Sequence, residues 1–101
     1  MFPGNRDDMI YSLERTHAIR VLLTLRDAEI GGRRLNKKIL TQLITTSTQG
    51  VKSRVDELSA AGLVTVEQDT AHPFPQWVSL TPLGREVAEH LQAIVELMQR
   101  R

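Results

Sequence analysis

Residues Thr45 to Val64 read TTSTQGVKSRVDELSAAGLV, and this stretch decides the fold. Thr46 and Gln49 stand three apart, the spacing of a capping box. There the threonine hydroxyl accepts from a free N–H of the first helical turn while the glutamine reaches back to the cap. Val51, Val55 and Leu58 then fall at i, i+4 and i+7, one stripe on one side of a helix. Gln49, Lys52, Ser53 and Asp56 point the other way. Ala60, Ala61 and Gly62 close the segment, with glycine supplying the left-handed position that ends a helix. Leu63, Val64 and Val66 open a strand. The pattern predicts a helix over about 47–61 with one buried face and one polar, partly basic face.

Upstream, Asn36 is a good N-cap, and Lys37 to Leu43 follows as a brief helix with Ile39, Leu40 and Leu43 turned inward. Ile44 and Thr45 make the turn, so two helices meet across a short connection, the arrangement of a helix-turn-helix. Arg33-Arg34-Leu35 reads as a minor strand, and Gly31-Gly32 ends the helix before it. That first helix is predicted from Ser12, with Leu13, Ala18, Ile19, Leu22, Leu23 and Leu25 on its apolar face. Residues 1–11 form an N-terminal extension, in which Asp7 or Asp8 caps a short helical lead-in.

Downstream, Leu63 to Gln68 alternates as a strand, and Trp77 to Leu80 forms a second, with Val78 and Leu80 on one face. The stretch DTAHPFPQ between them (Asp69 to Gln76) carries two prolines and makes a hairpin with a long tip. Thr81 caps the last helix and Pro82 takes its first position. Leu83, Val87, Leu91, Ile94 and Met98 are spaced at four, four, three and four, and Val95 widens the stripe. That stripe is too long for so small a core to bury. It suits packing against another helix and predicts a homodimer built on residues 82–101, the alternative being a helix folded back on its own domain. The domain proper is then 12–81.

The chain of 101 residues is long enough for one modest core. It contains no cysteine, which excludes disulfides, thiolate metal sites and cysteine nucleophiles within it. No apolar run approaches the roughly 18 residues of a membrane span, and the N-terminus lacks the form of a signal peptide. A cytoplasmic protein without membrane contact is expected. Neither a glycine-rich phosphate loop nor a His-x-x-x-His pair nor a Gly-x-Ser-x-Gly elbow occurs, so no enzyme, metal site or cofactor is predicted.

Net charge is only +1, but it is segregated. Arg33, Arg34, Lys37, Lys38, Lys52 and Arg54 all lie between residues 31 and 54, where there is no acid. Acids outnumber bases both before and after that stretch. A clustered basic patch is the footprint of a polyanion partner, although a run of cations is also compatible with a merely solvated face. Gly50 likewise has two readings, close packing on a neighbouring helix or close approach of the backbone to DNA.

The element order α-β-α-α-β-β-α, mainly α with a small β-hairpin, is that of a winged helix-turn-helix. The segments THAIRVLLTL, VKSRVDELSAAGLV and WVSLTPLGREVAEHL resemble the small bacterial and archaeal winged-helix transcription regulators of the MarR, ArsR and PadR kind, over residues 12–99. The resemblance implies a dimer on double-stranded DNA with the helix at about 47–61 in the major groove. Thr48, Gln49, Lys52 and Ser53 then face base edges, and Arg54, Arg33, Arg34, Lys37 and Lys38 face phosphates. The wing departs from the family: no Lys or Arg lies between Val55 and Leu83, and His72 is its one candidate cation. A winged module that binds protein and not DNA is the alternative. It is favoured by the acidic wing and by the Pro-Phe-Pro-x-Trp segment.

Overall fold

The computed structural model describes residues 6–44, 48–68 and 76–100, with residues 48 and 49 described through their backbone alone. In chain order the elements are α1 (Arg6–Glu14), α2 (Ala18–Ile30), β1 (Leu35–Asn36), α3 (Lys37–Ile44), α4 (Thr48–Ala60), β2 (Val64–Gln68), β3 (Gln76–Leu80) and α5 (Pro82–Gln99). The strands form one antiparallel sheet in the order β1-β3-β2. The winged helix-turn-helix order expected from the sequence is present, with its first helix divided in two.

That division corrects the single helix expected from Ser12. The chain is already helical at Arg6, so Asp7 and Asp8 lie in the first turn, where their charge complements the helix dipole. The helix then stops, and His17 sits in the left-handed region at φ 70° just before α2 begins. Of the two, α2 supplies the buried residues, and Leu13 of α1 packs half-buried against them. The buried face of α2 is Ala18, Val21, Leu22, Leu25 and Ala28, a run at helical spacing. Ile19, expected on that face, is exposed.

Both helix exits that feed strands use the same device. At the end of α4, Gly62 takes φ 81°. Its N–H bonds to the Ser59 carbonyl, and the Leu63 N–H bonds to the Leu58 carbonyl. At the end of α2, Gly32 takes φ 72°. Its N–H bonds to the Glu29 carbonyl, and the Arg33 N–H bonds to the Ala28 carbonyl. Each pair of bonds satisfies carbonyls that the helix leaves open, and each needs a residue without a Cβ at the turning point.

Around α2 the core is aliphatic. Leu40 of α3, Val51, Val55 and Leu58 of α4, Leu35, Val64, Val78 and Leu80 of the sheet, and Ala88 of α5 are buried together. The stripe predicted for α4 is therefore the buried one. For α3 the expectation is corrected. Leu40 is fully buried, but Ile39 is 39% exposed and Leu43 is 54% exposed. Thr41 takes the inner place beside Leu40, its hydroxyl donating to the Lys37 carbonyl so that burial leaves no bond unmade. Asn36 caps α3 as predicted, its side-chain oxygen accepting from the Ile39 N–H at 2.8 Å.

The join into α5 explains the Leu-Thr-Pro-Leu-Gly sequence. The Thr81 hydroxyl accepts from the Gly84 N–H at 2.9 Å and donates to the Gly62 carbonyl at 2.7 Å. The Thr81 N–H donates to the Leu63 carbonyl at 3.1 Å. Gly84 is pressed so close to Leu63 that a Cβ there would overlap the Leu63 carbonyl. One threonine thus fastens the start of α5 to the exit from α4. Val87 and Leu91, expected on a dimer stripe, pack half-buried against the core beside Ala88, and beyond Leu91 the helix leaves it. Ile94 is 52%, Leu97 59% and Met98 68% exposed.

Candidate nucleic-acid interface

α3 and α4 meet across residues 45–47, and the outer face of α4 carries the side chains that matter. Lys52 is exposed and Ser53 half-buried, one helical turn before Asp56. Lys37, at the first turn of α3, reaches across to Asp56, Nζ to Oδ1 at 3.0 Å. The two helices therefore share a polar patch in which Lys37 and Lys52 flank one carboxylate. The Lys37 side chain is largely covered but Asp56 stands mostly in water, so the pair is screened and contributes at most about 1 kcal/mol. Lys37 can leave it for a phosphate at small cost.

Arg54 is the correction at this site. Expected at a phosphate, it is instead 9% exposed, among the most buried polar residues of the domain. Its Nη2 donates to Glu57 Oε2 at 2.9 Å. Glu57 is shared. Arg15, in the link between α1 and α2, sends Nε to Oε1 at 3.1 Å and Nη2 to Oε2 at 3.2 Å, a two-pronged grip on the same carboxylate. Arg15 also donates through Nη1 to the Tyr11 hydroxyl at 2.6 Å. The hydrogen bond to Glu57 raises the Arg15 pKa, with burial opposing it, so this guanidinium is held charged. Nothing local in the chain signals this cluster, because Arg15 and Glu57 lie 42 residues apart.

The remaining cations are arranged around the sheet edge and α3. Arg34 lies over the Trp77 ring, its guanidinium carbon 4.4 Å from the ring centroid. Arg33 and Lys38 are exposed, and with Lys52 they make no ion pair among the described residues. The six cations that look unopposed along the chain are thus unequal in space. Two are engaged by acids from the second half of α4, one is stacked on a ring, and three are open. The side chains of Thr48 and Gln49 and the whole of His72 lie outside the described residues, as do the expected capping box and hairpin tip.

A second charged cluster ties α2, β3 and α5 together on the far side. Glu29 accepts from the Leu80 N–H at 3.0 Å and from Arg85 Nη2 at 3.1 Å. Arg26 pairs with Glu89 at 3.0 Å. Burial lowers the Arg26 pKa, but bonding to Glu89 and Asp27 outweighs it and the net shift is upward. A cleft of about 210 Å³ lies among Arg26, Glu29, Ile30, Leu80, Arg85 and Glu89. Its charges are already mutually neutralised. Among the described residues there is no group of three or more His, Cys, Asp or Glu placed to hold a metal, and no helix is long and apolar enough to cross a membrane.

No family model and no curated protein sequence matches this chain. Solved structures do match. ytfH from Salmonella typhimurium, assigned as a transcriptional regulator, superposes with a TM-score of 0.76 at 18% identity, covering 92% of this chain and 80% of that one. A protein from Porphyromonas gingivalis W83, assigned as a transcriptional regulator of the MarR family, gives 0.73 at 18% identity over 100% of this chain and 98% of that one. The reduced form of the transcriptional regulator YodB from B. subtilis gives 0.68 at 21% identity over 98% and 89%. With sequences so far diverged and the architecture matched along nearly the whole chain, the fold is that of the MarR-like winged-helix regulators.

Proposed function

We propose that this chain is a cytoplasmic, homodimeric regulator of transcription that binds double-stranded DNA. The observation that carries the reading is the polar outer face of α4 in a helix-turn-helix, where Lys52 is exposed and Lys37 of α3 reaches Asp56, with Arg33, Arg34 and Lys38 exposed before and on α3. A helix fits the major groove of B-DNA, and residues near its N-terminal end reach base edges. Lys52 then addresses the acceptors of guanine, and Gln49, from the first turn, addresses adenine. Arg33, Arg34, Lys37 and Lys38 neutralise phosphates, and the N-terminal end of α4 adds its own positive dipole. Arg54 takes no part in contact.

The dimer rests on surface that the monomer leaves apolar. Leu83, Ile94, Leu97 and Met98 of α5 and Met9, Ile10 and Tyr11 of α1 are exposed. Val87, Leu91 and Val95 are half-buried on α5. Exposed apolar surface gathered on two terminal helices is what association removes from water. Two-fold pairing then sets two copies of α4 against successive major-groove segments and favours a palindromic site. The solved regulators of the same fold support the transcriptional role. The resemblance stops short of one mechanism: with no cysteine in these residues, a thiol switch has nothing to act on here.

The test is binding to mixed genomic DNA across a salt series, for wild type and for Lys52→Ala. With five cations per subunit engaged, Arg33, Arg34, Lys37, Lys38 and Lys52, the slope of log K against log salt is about −4.5 per subunit, and Lys52→Ala reduces it by about one. Absence of binding at low salt, or binding that Lys52→Ala leaves untouched, refutes the reading and leaves the protein-binding module in its place.

A further inference from the structure

We propose that Arg15, Glu57 and Arg54 are positioning residues that set how α4 presents its outer face, and that α1 acts on α4 through them. The proposal rests on the DNA-binding reading, because presentation matters only if that face is read. Three observations carry it. Arg15 lies in the three-residue link between α1 and α2, and its forked grip on Glu57 spans from that link to α4. Arg54, one turn before Glu57, is buried and bonded to the same carboxylate, while its Nε has no hydrogen-bond partner. α1 has no fully buried residue: Leu13 packs half-buried against the core, and Tyr11 and Arg15 join the helix to Glu57.

The physical consequence follows from where these groups sit on α4. Lys52 and Asp56 lie on the outer face, and Val51, Val55 and Leu58 on the inner one. Glu57 and Arg54 occupy the side between them. A charge-assisted fork at that side adds a directional constraint on the rotation of the helix about its own axis to the packing of Val51, Val55 and Leu58. If Arg15 moves, Glu57 must follow or abandon it. In the first case, unless α4 turns with it, Arg54 is left as a buried cation with its one carboxylate drawn away, which is strongly unfavourable. The link that carries Arg15 ends at His17 in the left-handed region, a conformation that costs a non-glycine residue free energy and marks the place where α1 turns relative to α2. Whatever covers the exposed Met9 and Ile10 of α1 therefore biases the presentation of α4 through a chain of named bonds. By linkage, binding at α4 biases α1 equally.

The experiment uses the full chain with Glu57→Gln, Arg15→Ala and Arg15→Lys, the last keeping the charge and losing the fork. Amide hydrogen exchange is measured first, without DNA. The α4 amides from Val55 to Leu58 are expected to exchange about five-fold faster in Glu57→Gln and Arg15→Ala, with Arg15→Lys intermediate and the amides of α2 and β3 unchanged. Unchanged exchange in α4, or equal acceleration throughout the domain, overturns the proposal. DNA affinity is measured second. The variants are expected to bind about ten-fold more weakly with the salt slope of the wild type. A slope reduced by about one makes Arg15 a phosphate contact and overturns the positioning role. If the wild type binds no DNA, the proposed function fails and the exchange measurement alone decides whether α1 holds α4.

Discussion

Gly84 of α5 rests against the backbone carbonyl of Leu63, at the point where α4 has ended and β2 begins. No side chain fits between them. Gly84→Ala is expected to destabilise the domain by about 3 kcal/mol despite the better helix propensity of alanine, because backbone and not a flexible side chain must move. Thermal unfolding by circular dichroism checks this, with a fall in Tm of more than about 10 °C expected for a chain of this length. The control is Gly31→Ala. There a Cβ meets its nearest atoms at an ordinary 3.6 Å. That change is expected to shift stability by less than about 0.5 kcal/mol.

The two faces of α3 give a second test. Leu40→Ala is expected to cost about 2–5 kcal/mol, as for any fully buried leucine. Leu43→Ala, three residues on and largely in water, is expected to fall within about 0.5 kcal/mol of the wild type. Urea denaturation of both variants measures the difference. Equal costs mean that Leu43 is covered in solution.

Arg34 and the single tryptophan supply an internal probe. Arg34→Gln uncovers the Trp77 ring and is expected to shift its emission to the red. The loss of stability should be only about 0.5–1 kcal/mol, the worth of an exposed cation–π contact. In the wild type, added DNA is expected to produce the same red shift when Arg34 leaves the ring for a phosphate. The fluorescence titration then follows binding without a label.

Assembly can be tested without DNA. Ile94→Glu together with Leu97→Glu places two charges on the most open part of α5, where neither residue belongs to the core. The expected result in analytical ultracentrifugation is a monomer with wild-type secondary structure. A wild-type chain already monomeric at tens of micromolar, an affinity weaker than about 7 kcal/mol of association free energy, removes the dimer from the reading.

How far the sequence reveals the fold depends on the range of the interactions involved. The α4 stripe, Gly62 as its terminator, Asn36 as the cap of α3 and the Thr81-Pro82 entry to α5 are all set within a few residues, and all were legible. The break at Arg15–His17 was not, because periodicity runs through it: Leu13 and Ala18 fit one apolar face as well as two. The exposure of Ile39 and Leu43 is hidden in the sequence for a related reason. An eight-residue helix presents several stripes of similar quality, and only its neighbours choose among them. At the candidate site the open cations were legible. The fate of Arg54 was not, since it depends on a carboxylate gripped from a link far earlier in the chain. Counting charge by sequence segment assigned Asp56 and Glu57 to the next segment, although they sit on the same helix as Lys52 and Arg54.

α1 has nine residues and buries none of them. Isolated helices shorter than about 12–15 residues are marginal in water, so α1 borrows its order from what lies against it. Within one chain that support is Leu13 against the core and the Tyr11–Arg15–Glu57 bonds. If two copies associate as proposed, covering Met9 and Ile10 adds to it, and the helix content of residues 6–14 is expected to rise with protein concentration while the core around α2 stays unchanged.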